Sequence, residues 1–263
     1  MIITQDIHVH TNLSPCASRE ATVESFFDAM IENGISTVGI ADHLWDESMP
    51  NPCPGRTPAV GMGPVLELKE KLKSMDTKGL RILVGGETEY DYKNRGVAMS
   101  EESAAKLDFL LVPNAHTHLT MPKEWWNDKK RHARFTVDAW FDIINSNIAK
   151  YTTAIPHPFV TGAPEEVTTE LSDATLRECM IAAKEADIAV EINSAALLSM
   201  TKTRSIKELL DLDAMRILSI AKECGCKFTF GSDAHEASAA RLFYANYIVA
   251  ASLEICESDI LKI

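Results

Sequence analysis

Residues 2–10 read IITQDIHVH and form the first of seven short apolar segments along the 263-residue chain. Isoleucine and valine favour an extended backbone, so this segment is predicted to be a strand. His8 and His10 are two residues apart, and side chains at that spacing point to the same face of a strand. Two imidazoles on one face can hold a single metal ion, although a lone His-x-His pair is a weak indication of a site.

Six further apolar segments follow, separated by helical patterns. They are residues 37–43, 81–87, 108–113, 152–157, 188–193 and 227–233. Between them, residues 22–33, 64–78 and 172–187 have the apolar spacing or the Pro and Gly positions of helices. Alternating strands and helices predict parallel strands joined by right-handed crossovers. Because no glycine-rich phosphate loop follows the first strand, a TIM-barrel-like α/β fold, a distorted seven-stranded parallel (β/α)7 barrel, is favoured over an open sheet.

Length and composition predict a single globular domain over residues 1–263. Hydrophobic residues make up 46% of the chain and charged residues 24%, which is typical of a protein with a full core. No apolar run approaches the roughly 20 residues that span a bilayer, and no signal-peptide pattern is present, so we expect a cytoplasmic protein with no membrane partner. The six cysteines are then expected to be reduced thiols.

The formal net charge of −12 makes long nucleic acid an unlikely partner, because binding of nucleic acid relies on clustered Lys and Arg. Bound divalent cations would reverse the field locally, so a small anionic substrate is compatible with this charge. The sequence sets no oligomeric state.

Two connections are longer than simple turns, at residues 45–63 and 116–134. Connections of that length are often lids or binding loops. The second contains the basic run KKRHAR at residues 129–134, whose simplest interpretation is a solvated surface loop.

Potential metal ligands stand at the carboxyl ends of the predicted strands, the sixth excepted. Besides His8 and His10, they are His43, Glu87, His116, His157, Asp233 and His235. In barrels the carboxyl ends of the strands form one face, where catalytic residues meet. Each residue taken singly has an ordinary explanation as a turn residue or a solvated strand end. Their joint placement predicts one multinuclear metal centre.

The chain resembles the polymerase and histidinol phosphatase family, known as the PHP domain. The resemblance rests on short motifs in the family's order through nearly the whole chain: DIHVH at 6–10, ADH at 41–43, GE at 86–87, HP at 157–158, EIN at 191–193 and GSDAH at 231–235. It implies a distorted seven-stranded barrel, phosphoesterase activity and two to three divalent metal ions, usually zinc, iron or manganese.

The resemblance also implies a division of the ligands among three ions. The first ion would be held by His8, His10, Glu87 and Asp233. Glu87 would bridge to a second ion held by His116 and His157. The third would be held by His43, His235 and Cys16, which stands where the family often has His or Asp. A thiolate there suits zinc or iron and is poorly suited to magnesium, and the alternative is a buried thiol beside the cluster.

Residues close to these motifs are assigned supporting roles. Asp6 and Asn193 are expected to orient ligands by hydrogen bonds, and Glu191 either does the same or faces the barrel interior. Glu89, two residues beyond Glu87, is expected to be a solvated loop residue.

Three residues are candidates for contact with substrate. His118 shares a face with His116 if that segment is extended, so it either replaces His116 as a ligand or touches substrate. Arg19 and Arg204 are candidates for binding phosphate, with ordinary surface arginines as the alternative.

Together these features predict a metal-dependent hydrolase of small phosphate esters, a phosphomonoester or a small nucleotide, that uses metal-activated water. The expected catalytic residues are Glu87, Asp233 and His235, with Asp233 or His235 donating a proton to the leaving group. The alternatives are a histidinol-phosphate phosphatase proper, an amidohydrolase-type metal hydrolase and a non-catalytic metal-binding regulatory domain. Amidohydrolase-type barrels typically have eight strands and often a bridging lysine after strand four, where this chain reads PNAH at 113–116.

Overall fold

The computed structural model of the protein describes residues 3–53, 60–161 and 167–263. Ile2, at the start of the first predicted strand, and residues 54–59 of the first long connection lie outside the described residues. None of the described helices is both long enough and apolar enough to cross a bilayer.

Short strands alternate with helices along the described chain, as the apolar pattern predicts. The strands are β1 Gln5–Val9, β2 Thr37–Ile40, β3 His43–Trp45, β4 Val60–Gly61, β5 Arg81–Val84, β6 Glu87–Thr88, β7 Tyr90–Asp91, β8 Gly96–Val97, β9 Ala154–Ile155, β10 Ala189–Asn193 and β11 Phe228–Gly231. The α-helices are α1 Phe27–Glu32, α2 Met62–Leu72, α3 Glu101–Ala104, α4 Thr117–Thr120, α5 Lys129–Ile144, α6 Asp173–Glu185, α7 Ser194–Ser199, α8 Ile206–Leu210, α9 Asp213–Cys224, α10 Ala237–Ala240 and α11 Tyr244–Ser252. Short 3₁₀ helices cover Val23–Phe26, Lys123–Trp125, Ala149–Tyr151, Val167–Glu170, Arg241–Phe243 and Glu257–Asp259.

Most strands belong to small parallel sheets. Their orders are β1-β2-β5, β11-β10-β9 and β4-β3-β6, while β7 and β8 form an antiparallel pair. Isolated parallel bridges join Val9 to Ala234, Glu87 to Leu111 and Leu111 to Ala154. An α/β fold with parallel strands is therefore confirmed. None of the described sheets closes on itself, and the seven-stranded barrel stays a prediction.

The fourth predicted strand, residues 108–113, is reduced to the single bridging residue Leu111. Its backbone is still paired on both sides: Leu111 N–H donates to the carbonyl of Gly86 (2.9 Å), and Val112 N–H donates to that of Ala154 (3.2 Å). The N–H of Leu110 donates instead to the side-chain hydroxyl of Thr153 (3.1 Å). The segment is extended without being a regular strand, because a side chain replaces one backbone partner.

The second and third predicted strands each break just before their last predicted residue. Two residues separate β2 from β3, and two separate β5 from β6. Gly85 and Gly86 occupy the second gap, and a Cβ on Gly86 would lie 2.5 Å from the side chain of Leu44. Beyond the gaps, His43 at the start of β3 pairs with Glu87 at the start of β6. The paired breaks therefore place these two predicted ligands side by side.

The three predicted helices are present with different bounds: α2 begins at Met62, two residues before the predicted start, and ends at Leu72, and the helix predicted at 22–33 is a 3₁₀ turn followed by α1. α6 begins after Ser172, whose side chain accepts a hydrogen bond from Thr175 N–H. Its buried residues are Leu176, Cys179, Met180 and Ala183, as the 3.6-residue spacing predicts. The basic run at 129–134 is the first part of α5 and not a loop, because the Asp128 side chain caps the helix by accepting from Arg131 N–H.

Candidate metal centre

Imidazole and carboxylate groups from separate strands converge at one end of the parallel strands. His8 and His10 come from β1 and the residue after it, and His157 follows β9. Within the described chain, donor atoms lie within 4.8 Å of one another in the groups His10-His43-His235, His8-His10-Asp233, His8-Glu87-His157 and His43-Glu89-His116. The structure thus brings together ligand candidates that the sequence separates by more than 200 positions.

The Glu87 carboxylate is at the middle of the cluster and is 1% exposed. Its Oε1 lies 3.0 Å from His157 Nε2, 3.6 Å from His116 Nε2 and 3.7 Å from His8 Nε2. Its Oε2 lies 3.0 Å from His43 Nδ1 and 3.8 Å from His10 Nε2. One buried carboxylate therefore contacts five imidazoles, an arrangement in which it can bridge two cations.

His8, His10 and Asp233 form the first group of donors. His8 Nε2 lies 3.0 Å from His10 Nε2, which lies 3.1 Å from Asp233 Oδ1. Ligands that each lie about 2.0–2.2 Å from one ion are roughly 3–3.6 Å from one another. His8 Nδ1 faces Glu191 Oε1 at 2.9 Å, and a proton held there leaves the Nε2 lone pair for a cation.

Glu191 is fully buried, and its contacts are with candidate ligands, as the first of its two expected roles requires. Its Oε2 accepts from the backbone N–H of His157 (3.0 Å) and from Asn193 Nδ2 (2.8 Å). Asp6 Oδ1 accepts from the backbone N–H groups of His8 (3.2 Å) and Ser232 (2.9 Å). Asp6, Asn193 and Glu191 therefore form hydrogen bonds around the candidate ligands, as expected from the sequence.

Glu89 is 6% exposed and belongs to the cluster, so the expectation of a solvated loop residue is wrong. Its carboxylate lies 2.9 and 3.0 Å from His116 Nδ1, which directs His116 Nε2 toward Glu87. The sequence did contain one indication: Glu89 is two residues from Glu87, a spacing that places both side chains on the same face of a strand. Because β6 ends at Thr88 and the chain continues into the paired β7, Glu89 stays on the site face instead of entering a loop.

His116 and His118 do not lie on an extended segment. His116 precedes α4 and His118 is within it. Their rings are 5.5 Å apart, but His118 is exposed, and within the described residues no ion pair joins it to Glu87 or Glu89. His116 is therefore the one of the two that the fold brings against the carboxylates.

His43, His235 and Cys16 lie at the outer side of the cluster. The ring of His235 stacks on that of His10 at 4.2 Å, and the ring of His43 is 4.6 Å from His10. Cys16 is exposed. Partial burial favours the neutral thiol, but hydrogen bonds with His235 and His43 outweigh it and lower the pKa of Cys16 to about 6. A thiol so placed is ionised near neutral pH, as a metal ligand must be.

The charges inside the cluster shift the pKa values of its members. Burial lowers the pKa of His10 to about 3, which keeps this imidazole neutral. Burial also disfavours charge on His8, but Glu191 and Asp233 outweigh it and hold the pKa of His8 well above its usual value. Burial favours the neutral form of Glu87, yet His116 and His8 hold its pKa well below its usual range.

Two members of the cluster have strained backbones. His157 has φ of 31° and Asp233 has φ of 54°, in the left-handed region that residues other than glycine rarely adopt. Such strain costs of the order of 1–3 kcal/mol and concentrates at functional sites. The surrounding bonds hold it: Asp233 N–H donates to the carbonyl of His8 (2.7 Å), and His157 N–H donates to Glu191.

Arg19 and Arg204 are both exposed. Among residues 3–53, 60–161 and 167–263, no ion pair joins either guanidinium group to the cluster. Their role in binding phosphate stays a prediction.

The donor set fits divalent metal ions. Nδ1 of His43 is buried with no hydrogen-bond partner in the described part of the chain, although it lies 3.0 Å from Glu87 Oε2. Mixed imidazole, carboxylate and thiol donors suit zinc, iron or manganese. Closely spaced donors whose outer nitrogens are bonded to carboxylates are typical of metal centres.

Neither a family model nor a curated protein matches the chain. Among solved structures it is similar to histidinol phosphate phosphatase from Lactococcus lactis subsp. lactis, complexed with zinc, L-histidinol and phosphate. The TM-score is 0.68 and the identity 16%, over 95% of this chain and 93% of that one. A chain of an archaeal ribonuclease P structure (TM-score 0.44, 11% identity, 98% and 97% covered) and an amidohydrolase (0.40, 16%, 97% and 70%) also match, but scores this low carry no argument.

Fold and cluster together define an α/β protein with imidazole and carboxylate groups at the ends of its strands that could hold metal ions. More particularly, the fold is similar to that of the Lactococcus phosphatase. The family resemblance expected from the motifs is confirmed at the level of the fold, over nearly the whole of this chain and of the Lactococcus enzyme.

Proposed function

We propose that this chain is a metal-dependent phosphatase that hydrolyses small phosphate esters, as one domain over residues 1–263. The observation that carries the proposal is the buried Glu87 carboxylate with five imidazoles around it. The fold shared with a phosphatase supports the same class of reaction. The isolated bridges at Val9, Leu111 and Glu87 support an arrangement of the seven predicted segments as a distorted barrel.

The proposed centre holds two or three ions, zinc, iron or manganese. His8, His10 and Asp233 form one site with Glu87, which also serves a second site. The second site contains His116 and His157, and the third Cys16, His43 and His235. Bound divalent ions supply an activated water and neutralise charge on phosphoryl oxygens.

The chain's own residues then orient the reaction. Glu191 and Glu89 keep the outer nitrogens of His8 and His116 bonded, which fixes the direction of both rings. Of the two expected proton donors, His235 is the one proposed to protonate the leaving oxygen, since 33% of its side chain is exposed. Burial disfavours its charged form, but a hydrogen bond with Cys16 and the charge of Asp233 outweigh this and raise the pKa of His235. Burial favours the neutral form of Asp233, but His8 and His10 hold its pKa well below the usual range, so this carboxylate has no proton to donate. His118, Arg19 and Arg204 are proposed to contact substrate.

The proposed substrates are phosphomonoesters or small nucleotides, in the cytoplasm, and histidinol phosphate is one candidate. A net charge of −12 disfavours long polyanions, whereas a small anion needs only the local field of the ions.

The test is phosphate release by protein stripped of metal and reloaded with zinc, manganese or iron. Phosphomonoesters, phosphodiesters and amides are compared, and Glu87→Gln is measured beside Glu185→Gln, which alters an exposed residue of α6. We expect phosphomonoester hydrolysis in the wild type and Glu185→Gln, and loss of metal and activity in Glu87→Gln. Amide hydrolysis alone would favour an amidohydrolase-type activity, and metal binding without turnover a regulatory domain.

The proposed role of Arg204 has its own measurement. Arg204→Ala is expected to lower kcat/KM for phosphomonoesters with metal content unchanged. A kcat/KM within error of the wild type would remove this residue from the site.

A further inference from the structure

The hydroxyl of Ser14 lies at a junction of three hydrogen bonds beside the cluster. Ser14 is 1% exposed. Its Oγ lies 2.6 Å from Asp42 Oδ1, 3.2 Å from His10 Nδ1 and 3.0 Å from the backbone nitrogen of His43. One side chain in the loop after β1 therefore contacts two candidate ligands from different strands.

The direction of these bonds follows from their chemistry. Asp42 receives four donors, the backbone N–H and hydroxyl of Thr11 and the backbone N–H and hydroxyl of Ser14. A carboxylate surrounded by donors acts as an acceptor, so the Ser14 proton points to Asp42. The oxygen of Ser14 is then left with lone pairs and accepts from the His43 N–H and from Nδ1–H of His10.

A proton on Nδ1 of His10 leaves its Nε2 with a free lone pair. That nitrogen is the atom that faces His8 Nε2 at 3.0 Å and Asp233 Oδ1 at 3.1 Å. In the other tautomer, Nε2 would carry a proton and could donate it to Asp233, which would block metal binding at both atoms. The tautomer of His10 therefore depends on the group that its Nδ1 contacts.

We propose that Ser14 is a positioning residue that sets the tautomer and orientation of His10 and fixes the start of β3 at His43, through a hydrogen-bond chain that ends on Asp42. At His10 a serine hydroxyl lies between the Asp42 carboxylate and the imidazole, whereas at His8 the Glu191 carboxylate contacts the imidazole directly. The proposal rests on the metal-binding part of the proposed function. It adds a residue that the ligand motifs do not contain.

Ser14→Ala tests the proposal by two readouts. Nitrogen-15 NMR of the metal-free protein should show the Nδ1–H tautomer of His10 in the wild type and its loss in Ser14→Ala. Chelator competition should show zinc affinity about 10- to 100-fold lower in the variant, the usual cost of removing a group that orients a ligand. Ser14→Thr retains a hydroxyl and should restore both the tautomer and the affinity.

Thr11→Val is the matched control, because it removes a buried hydroxyl bond to the same Asp42 carboxylate and leaves the Ser14–His10 contact in place. It should keep the wild-type tautomer and affinity. If Ser14→Ala fails to fold, Ser14→Cys retains the shape with a weaker acceptor and should bind zinc less tightly than the wild type.

An unchanged His10 tautomer with unchanged zinc affinity in Ser14→Ala, or in Ser14→Cys where that variant is used, would overturn the proposal. Equal losses in Thr11→Val and Ser14→Ala would also overturn it, since the effect would then belong to Asp42 or to packing. Failure of the wild type to bind metal contradicts the proposed function alone, because the tautomer of the metal-free protein still tests Ser14.

Discussion

A methyl group added at Gly231 should disturb the centre without removing any ligand. A Cβ at this position would lie 2.2 Å from Glu191 Oε1 and 2.6 Å from His8 Cβ. Carbon atoms in contact are ordinarily about 3.5 Å apart, so the His8 side chain would have to withdraw by about 0.9 Å. His8 is fully buried and bonded to Glu191, so the two must move together.

Overpacking of this kind costs about 1–3 kcal/mol. In a chain of this size, each 1 kcal/mol lowers Tm by about 2–4 °C. A His8 side chain displaced by nearly 1 Å would also bind an ion poorly, and misplacement of a group by that distance can lower activity by about 100-fold. We therefore expect Gly231→Ala to have a lower Tm when metal-free and a lower zinc affinity and kcat when loaded.

The matched control is Gly63→Ala in α2, where an added Cβ meets no atom within 4 Å. This change should be neutral or stabilise the helix by up to about 1 kcal/mol. Scanning calorimetry and chelator competition on both variants provide the measurement. Wild-type Tm and zinc affinity in Gly231→Ala would refute the reasoning, because they would mean that His8 and Glu191 are not held in the described positions.

Three further outcomes test the centre and its surroundings. In metal-free protein, the rate at which iodoacetamide labels Cys16 should level off just above pH 6, and mass spectrometry should show that zinc protects this thiol. Cys179, whose pKa burial raises to about 12, should stay unlabelled as the control. A labelling rate for Cys16 that still rises at pH 9 would contradict the lowered pKa. Zinc binding at pH 7 should release protons and tighten as pH rises, because the pKa values of His8 and His43 are raised and both must be neutral to bind; equal calorimetric heats in buffers of different ionisation enthalpy would refute this. Asp46→Ala should lower the free energy of unfolding in urea by about 3 kcal/mol at pH 7, because the buried carboxylate accepts four hydrogen bonds. Its pKa is held below the ordinary 3.8, so the difference from wild type should shrink as pH falls below that value, and a constant difference would contradict the assignment.

The fold class and the convergence of ligands could be predicted from the sequence because both follow from periodic patterns. Apolar segments alternating with helices require parallel strands, and parallel strands bring residues such as His10 and Asp233 to one end. The helix at 172–187 was equally predictable, since its buried face and Ser172 cap are local features. These inferences need no knowledge of how distant side chains pack.

Features that depend on tertiary contacts were not predictable. The polar residue Ser14 has no periodic signal, and its role appears when Asp42 and His43 arrive from another strand. Glu89 belongs to the cluster through its contact with His116, a residue 27 positions away whose approach no local pattern indicates. Residues 108–113 have a strand pattern, yet the N–H of Leu110 donates to the hydroxyl of Thr153 instead of to a backbone carbonyl.

The left-handed backbone at His157 and Asp233 also restricts which residue types can replace them. Aspartate, asparagine and glycine tolerate that conformation, whereas β-branched residues do so poorly. This restriction comes from the backbone conformation at position 233 and does not depend on the proposed metal binding. We therefore expect related proteins with this backbone to have Asp, Asn or Gly at this position even where the neighbouring histidines are replaced.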